Sequence, residues 1–129
     1  MMRVAILLAS GLFAVPARAD PPENADPAYA EWFRDLKTPD GLSGCCSISD
    51  CRPVAYRITD GSYEAFLDRE SFPFLDQEKW TKVPRTSIVQ RQDNPLGKPV
   101  ACVEKSWRIF EGHQYKKGDI VCFVRPSET

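Results

Sequence analysis

The 129-residue chain predicts an α+β domain: one N-terminal helix packed on a small, mainly antiparallel sheet of about five strands, stapled by disulfides. Three observations predict it. A single apolar stripe of helical period near residue 30 is followed only by short period-two stretches punctuated by turn residues. Asp60-Gly61 lies between two such stretches and is the strongest hairpin signal in the chain. Five cysteines are present, three of them in the run GCCSISDC at 44–51.

The helix comes first. Asp26 suits an N-cap and Pro27 the first helical position. Tyr29, Trp32, Phe33 and Leu36 fall at i, i+3, i+4 and i+7, one face expected to join the core. Thr38-Pro39-Asp40-Gly41 ends it. The hairpin follows. A two-residue turn at Asp60-Gly61 pairs Thr59 with Ser62, Ile58 with Tyr63, Arg57 with Glu64 and Tyr56 with Ala65, setting opposite charges across from each other. Val54, Tyr56, Ile58, Tyr63, Ala65 and Leu67 are expected to face the core, and Ala55, Arg57, Thr59, Glu64 and Phe66 to be mostly wet.

Residues 68–79 read as a connection, with Phe72, Phe74 and Leu75 tucked back. Trp80 to Pro84 predicts a short strand closed by proline. Ile88-Val89 is a short strand or a turn of helix. Asp93-Asn94-Pro95-Leu96-Gly97 is turn chemistry. PVACV at 99–103 and SWRIF at 106–110 predict one long or bulged strand, and DIVCFV at 119–124 a final one. EGHQYKKGD at 111–119 reads as a polar hairpin tip between them.

Compartment follows from the first residues. Arg3 is positive, Val4 to Val15 is a short apolar run, and Ala17-Arg18-Ala19 is a small-x-small cleavage site. In that order they read as a secretory signal peptide over 1–19; the run is too short to span a bilayer. Residues 20–129 are then a single small disulfide-containing domain without a transmembrane segment, periplasmic or secreted. The chain carries 17 basic and 18 acidic side chains, and two of the basic ones, Arg3 and Arg18, fall in the signal peptide. The remainder is net acidic, which disfavours nucleic acid, whose binders need a basic patch.

An exported chain meets an oxidising compartment, so its cysteines default to disulfides. Adjacent Cα atoms sit about 3.8 Å apart, shorter than a disulfide wants, which sets aside a Cys45–Cys46 bond. The expected pattern is a short bridge from Cys51 to Cys45 or Cys46, and a long bridge from the cluster to Cys122, worth about 4.5 kcal/mol by loop closure. Cys102 is then free or buried. The rival is a Cys102–Cys122 bond that leaves a cluster thiol unpaired. Cys45, Cys46, Cys51 and Cys122 are therefore expected as structural staples. A thioredoxin-like site wants C-x-x-C at a helix start; here the spacings are C-C and C-x4-C. Zinc sites want paired cysteine and histidine spacings, and His113 is the one histidine. No metal and no cofactor is expected.

Catalytic signatures are missing as well: no G-x-S-x-G, no P-loop, no H-E-x-x-H. His113 falls on the predicted polar tip, where an acid–base group would lack a fixed position. Asp68/Glu70 and Asp76/Glu78 read as solvated acids of the connection, and Lys116-Lys117 as solubilising charge.

EWFRDLKTPDGLSGCCSISDC at 31–51, WTKVP at 80–84, NPLGKPV at 94–100 and IVCFVRP at 120–126 together resemble an uncharacterised family of small exported proteobacterial proteins, from rhizobia-like lineages in particular. The resemblance implies export and a shared disulfide-bearing fold, and attaches no activity. Within it Cys102 is an addition to the usual cysteines, which implies that it is unpaired. The function expected is that of an exported non-enzymatic domain binding a protein or envelope component. The alternative is an inhibitor of an exported lysozyme or protease, and after it a thiol-redox protein.

Overall fold

Asp26 caps the first helical stretch as its position predicts: its carboxylate accepts from the Ala28 backbone N–H at 2.9 Å. The structure, a computed structural model, describes residues 26–110 and 112–127, so the expected signal peptide lies outside it. A 3₁₀ turn at Pro27–Tyr29 runs into α1 (Ala30–Asp35), nine helical residues in all. Phe33 and Leu36 are buried, and Tyr29 and Trp32 pack half-buried beside them, so the aromatic stripe is core. A second helical turn, α2, spans Cys45–Ile48.

The strands are β1 (Asp50–Pro53), β2 (Ala55–Thr59), β3 (Ser62–Leu67), β4 (Lys79–Lys82), β5 (Ile88–Val89), β6 (Val100–Val103), β7 (Arg108–Phe110), β8 (His113–Tyr115) and β9 (Ile120–Val124). The architecture is α+β and mostly antiparallel, but the expected single sheet of about five strands is three sheets, and the helix lies at residues 27–35 rather than at the N-terminus. The central sheet has the order β1-β6-β9-β5, the second β2-β3-β4, and β7-β8 is a separate hairpin. Only β5 against β9 is parallel. Among the described residues no helix is long and apolar enough to cross a membrane.

The pair β6 and β9 explains this layering. Both read as unbroken apolar runs, VACV and IVCFV, and every residue of each is buried. Such runs mark strands covered on both faces. Val100, Cys102, Cys122 and Val124 pack with Phe33 and Leu36 on one side. Ala101, Val103 and Phe123 pack with Ala65, Leu67, Phe72 and Val83 on the other. Pairing runs Cys102↔Cys122 and then Val103↔Ile120, so Val121 is an extra residue and the strand bulges there.

The hairpin register matches the expected one at each of its four pairs, and Arg57 meets Glu64 at 2.5 Å. Its face assignment needs correction. Ala65 and Leu67 of β3 are buried, but β2 is exposed along its whole length, with Ile58 at 62% and Tyr56 at 43%. The cause is position: β2 is an edge strand of its sheet, and none of its residues joins either core cluster. PVACV and SWRIF are not one strand either. The buried Glu104 carboxylate accepts from the Lys105 and Ser106 backbone N–H groups at 3.1 and 3.4 Å and from Arg108 Nε at 2.7 Å, turning the chain out of the central sheet. The expected polar tip therefore holds a strand of its own, β8, which pairs with β7.

Asp60 and Gly61 both have positive φ, 51° and 74°, as a type I′ turn requires. A Cβ on Gly61 would meet nothing within 4 Å, so the cost of a side chain there is backbone strain alone. Gly61→Val should lose about 1–3 kcal/mol in urea unfolding, and Gly61→Asn far less, because asparagine tolerates this region. Equal losses would mean that the turn does not depend on φ.

Candidate functional site

The cysteines converge because three strands run side by side. Lys37 and Gly44 form a bridge, and the Cys45 N–H donates to the Leu36 carbonyl at 2.8 Å, which folds α2 back beside the end of α1. Ser49 closes the turn: its hydroxyl and backbone N–H donate to the Cys45 carbonyl at 2.6 and 3.1 Å. The chain then enters β1, where Cys51 lies opposite Cys102, and Cys102 lies opposite Cys122 of β9.

The bridges are Cys45–Cys122, with Cα atoms 6.1 Å apart, and Cys51–Cys102; Cys46 is free and half-buried. The long link from the cluster to Cys122 is present. The short bridge within the cluster is not, and Cys46 is not a staple. Cys102, expected unpaired, carries the second bond. The reason is the strand register: β1 directs Cys51 across the sheet at Cys102 rather than back along the loop. The five sulfurs stay close nonetheless. Those of Cys46, Cys51 and Cys102 lie within 4.8 Å of one another, as do those of Cys45, Cys102 and Cys122. Burial pushes the Cys46 thiol up to about 12, with Arg52 opposing and Asp50 adding to the shift. At neutral pH it is a protonated thiol, unlike the thiolates of redox enzymes.

The other residues weighed from sequence are dispersed. His113 lies exposed on β8. Asp68 accepts from the Ser71 backbone N–H at 2.6 Å, and Glu78 from that of Arg69 at 3.1 Å, so both shape turns. Asp76 pairs with Lys117 at 2.8 Å, while Glu70 is exposed. None of these four acids lines the cleft described next.

A cleft of about 680 Å³ opens elsewhere, between β2–β3 and the segments that follow β5 and β9. Tyr56 and Tyr63 form one wall, Arg91 and Gln92 another, and Arg125, Pro126 and Ser127 a third. Buried Asn94 holds the last two together. Its amide donates to the carbonyls of Lys98 and Arg125 at 2.7 and 3.0 Å, and its oxygen accepts from Leu96 N–H at 3.0 Å. Tyr63 rests on Phe123 of the central sheet at 5.3 Å between ring centres. Every charged residue lining the cleft is a cation. Arg91 pairs with Asp93 just outside it at 2.5 Å, and Arg125 makes one long contact, 3.4 Å, to Gln90. Sequence reasoning did not single out these arginines, because three separate segments assemble the cleft and no local motif marks it.

A second surface stands out. Trp107 and Ile109 are 59% and 64% exposed, on the side of β7 opposite to Arg108, which turns in to Glu104. The chain matches no family model, no curated protein and no solved structure.

The Arg91 hydrogen bond holds the Asp93 carboxyl down to about 2 from an ordinary 3.8. A lowered carboxyl adds stability that is complete above its unfolded value and is lost as pH falls from about 3.8 towards 2. Asp93 itself is exposed beside a half-buried Arg91, so that contribution is small. A carbonyl NMR titration should give a midpoint near 2 for Asp93 and an ordinary one in Arg91→Ala. An ordinary midpoint in the unmodified protein would remove the ion pair from the cleft wall.

Proposed function

We propose an exported, non-enzymatic binding domain, periplasmic or secreted, whose cleft takes an acidic group of a protein or envelope component. Membership of the exported proteobacterial family that the motifs resemble belongs to the same reading. The observation that carries it is the lining. Two tyrosines and two arginines face one opening in a net acidic chain, and no carboxylate lines it. Tyrosine offers apolar area with a polar tip at low entropic cost, and the arginine fork suits carboxylate or phosphate. Two disulfides fit an oxidising compartment outside the cytoplasm.

A second reading, an inhibitor of an exported lysozyme or protease, is favoured by Trp107 and Ile109, two exposed apolar side chains at a hairpin that forms a two-stranded sheet of its own. The two readings place the contact on different surfaces. Capture of partners from a periplasmic extract should fail with Tyr56→Ala/Arg125→Ser and survive Trp107→Ser/Ile109→Ser. The reverse pattern, with inhibition of a lysozyme or protease by the unmodified protein, would overturn the cleft reading in favour of the hairpin.

A further inference from the structure

We infer that Cys46 is the nucleophile of an internal thiol–disulfide exchange with the Cys51–Cys102 bridge, so that the protein interconverts between disulfide isomers. The inference is independent of the cleft. It rests on the placement of one free thiol within 4.8 Å of both sulfurs of a disulfide, in a cluster where one of those sulfurs, Cys102, also lies within 4.8 Å of both sulfurs of the second disulfide. Holding reactants side by side replaces a bimolecular encounter with an intramolecular step.

The chemistry balances without an outside oxidant or reductant. Cys46 loses its proton to solvent and attacks the Cys51 sulfur. The Cys46–Cys51 bond forms, the Cys51–Cys102 bond breaks, and the electron pair leaves on Cys102, which takes up a proton. Two disulfides and one thiol exist before and after. Cys102 can then repeat the step on its register partner Cys122, forming Cys102–Cys122 and releasing Cys45 as the thiol. The first product is the short cluster bridge, and the second joins two strands already paired. The consequence is mechanical. In the starting isomer Cys45 ties α2 to β9; in the final one α2 is tied only to β1, its neighbour in the chain. Exchange therefore releases α2 from the inner strand β9, leaving it tied to the edge strand β1, without reducing the protein.

The attacking species is the thiolate, so the buried Cys46 thiol sets the pace. The charged groups acting on it are Arg52 and Asp50 of β1, and Asp50 is itself held by Lys105 at 3.0 Å; from β6 the group beside it is the Cys102 sulfur. Exchange is slow at neutral pH and quickens about tenfold per pH unit while the thiol remains mostly protonated.

Cleavage before aspartate reads the isomers directly, because Asp50 separates Cys51 from Cys45 and Cys46, Asp93 separates Cys102 from Cys51, and Asp119 separates Cys102 from Cys122. Oxidised protein held at pH 6 and alkylated there should carry the label on Cys46, with no link between peptides 40–49 and 50–59. Protein held at pH 9 before acid quenching should show that link, or one between 40–49 and 93–118, with the label moved to Cys102, Cys51 or Cys45. Cys46→Ser should keep one connectivity under both conditions, and its near-ultraviolet circular dichroism reports that it has folded. A label that stays on Cys46 alone at pH 9 overturns the inference. So does equal scrambling in Cys46→Ser.

Discussion

The two-faced burial of β6 and β9 is the constraint on which the rest of this structure depends. A strand pair with no wet side must be covered twice, once by α1 and α2 and once by the β2-β3-β4 sheet. Full burial of a side chain such as Phe123 or Val103 is worth about 1.5–3 kcal/mol each, and of the nine buried residues of these strands six are valine, isoleucine or phenylalanine. Both disulfides end on this pair, Cys102 on β6 and Cys122 on β9, and their other ends lie in the 45–51 segment. Cys45–Cys122 thus fastens one cover to the strands it covers, and Cys51–Cys102 joins the edge strand β1 to β6, across loops of 77 and 51 residues. By loop closure each contributes about 4 kcal/mol, a large share of the stability of a domain this small.

Polar groups decide where the chain leaves that core. Glu104 sits at the end of β6, buried, with its carboxylate satisfied by two backbone N–H groups and Arg108. Removing Arg108 would leave a buried charge short of a partner, which is far costlier than losing a surface pair. Asn94 does the equivalent work beyond β5 and β9 by gathering carbonyls from two segments. The separate hairpin and the rigid floor of the cleft follow from these two residues, and with them the two surfaces on which the functional readings differ.

Much of this was legible in the sequence where the signal is local. The Asp26-Pro27 start, the Phe33/Leu36 stripe and the Asp60-Gly61 register each depend on neighbours within a few positions, and each is present. What failed was non-local. Alternation along β2 states which residues share a face, but whether that face is covered depends on what packs against it after folding, and Tyr56 and Ile58 are exposed. Spacing in GCCSISDC excluded the vicinal bond but could not see that β1 would set Cys51 opposite Cys102. The runs VACV and IVCFV did carry a readable mark of double burial. The cleft carried none, since Tyr56, Arg91 and Arg125 meet only after folding.

If burial on both faces governs this fold, β6 and β9, clasped by the two bridges, form its most stable unit and the other layers hold only against it. Amide hydrogen exchange tests this most directly, followed residue by residue in the oxidised and the fully reduced protein. The slowest exchange is expected within Val100–Val103 and Ile120–Val124, and on reduction a joint loss of protection there and in β3 and β4. Slowest exchange in the β2-β3-β4 sheet, or survival of that sheet's protection after β6 and β9 have lost theirs, would contradict it.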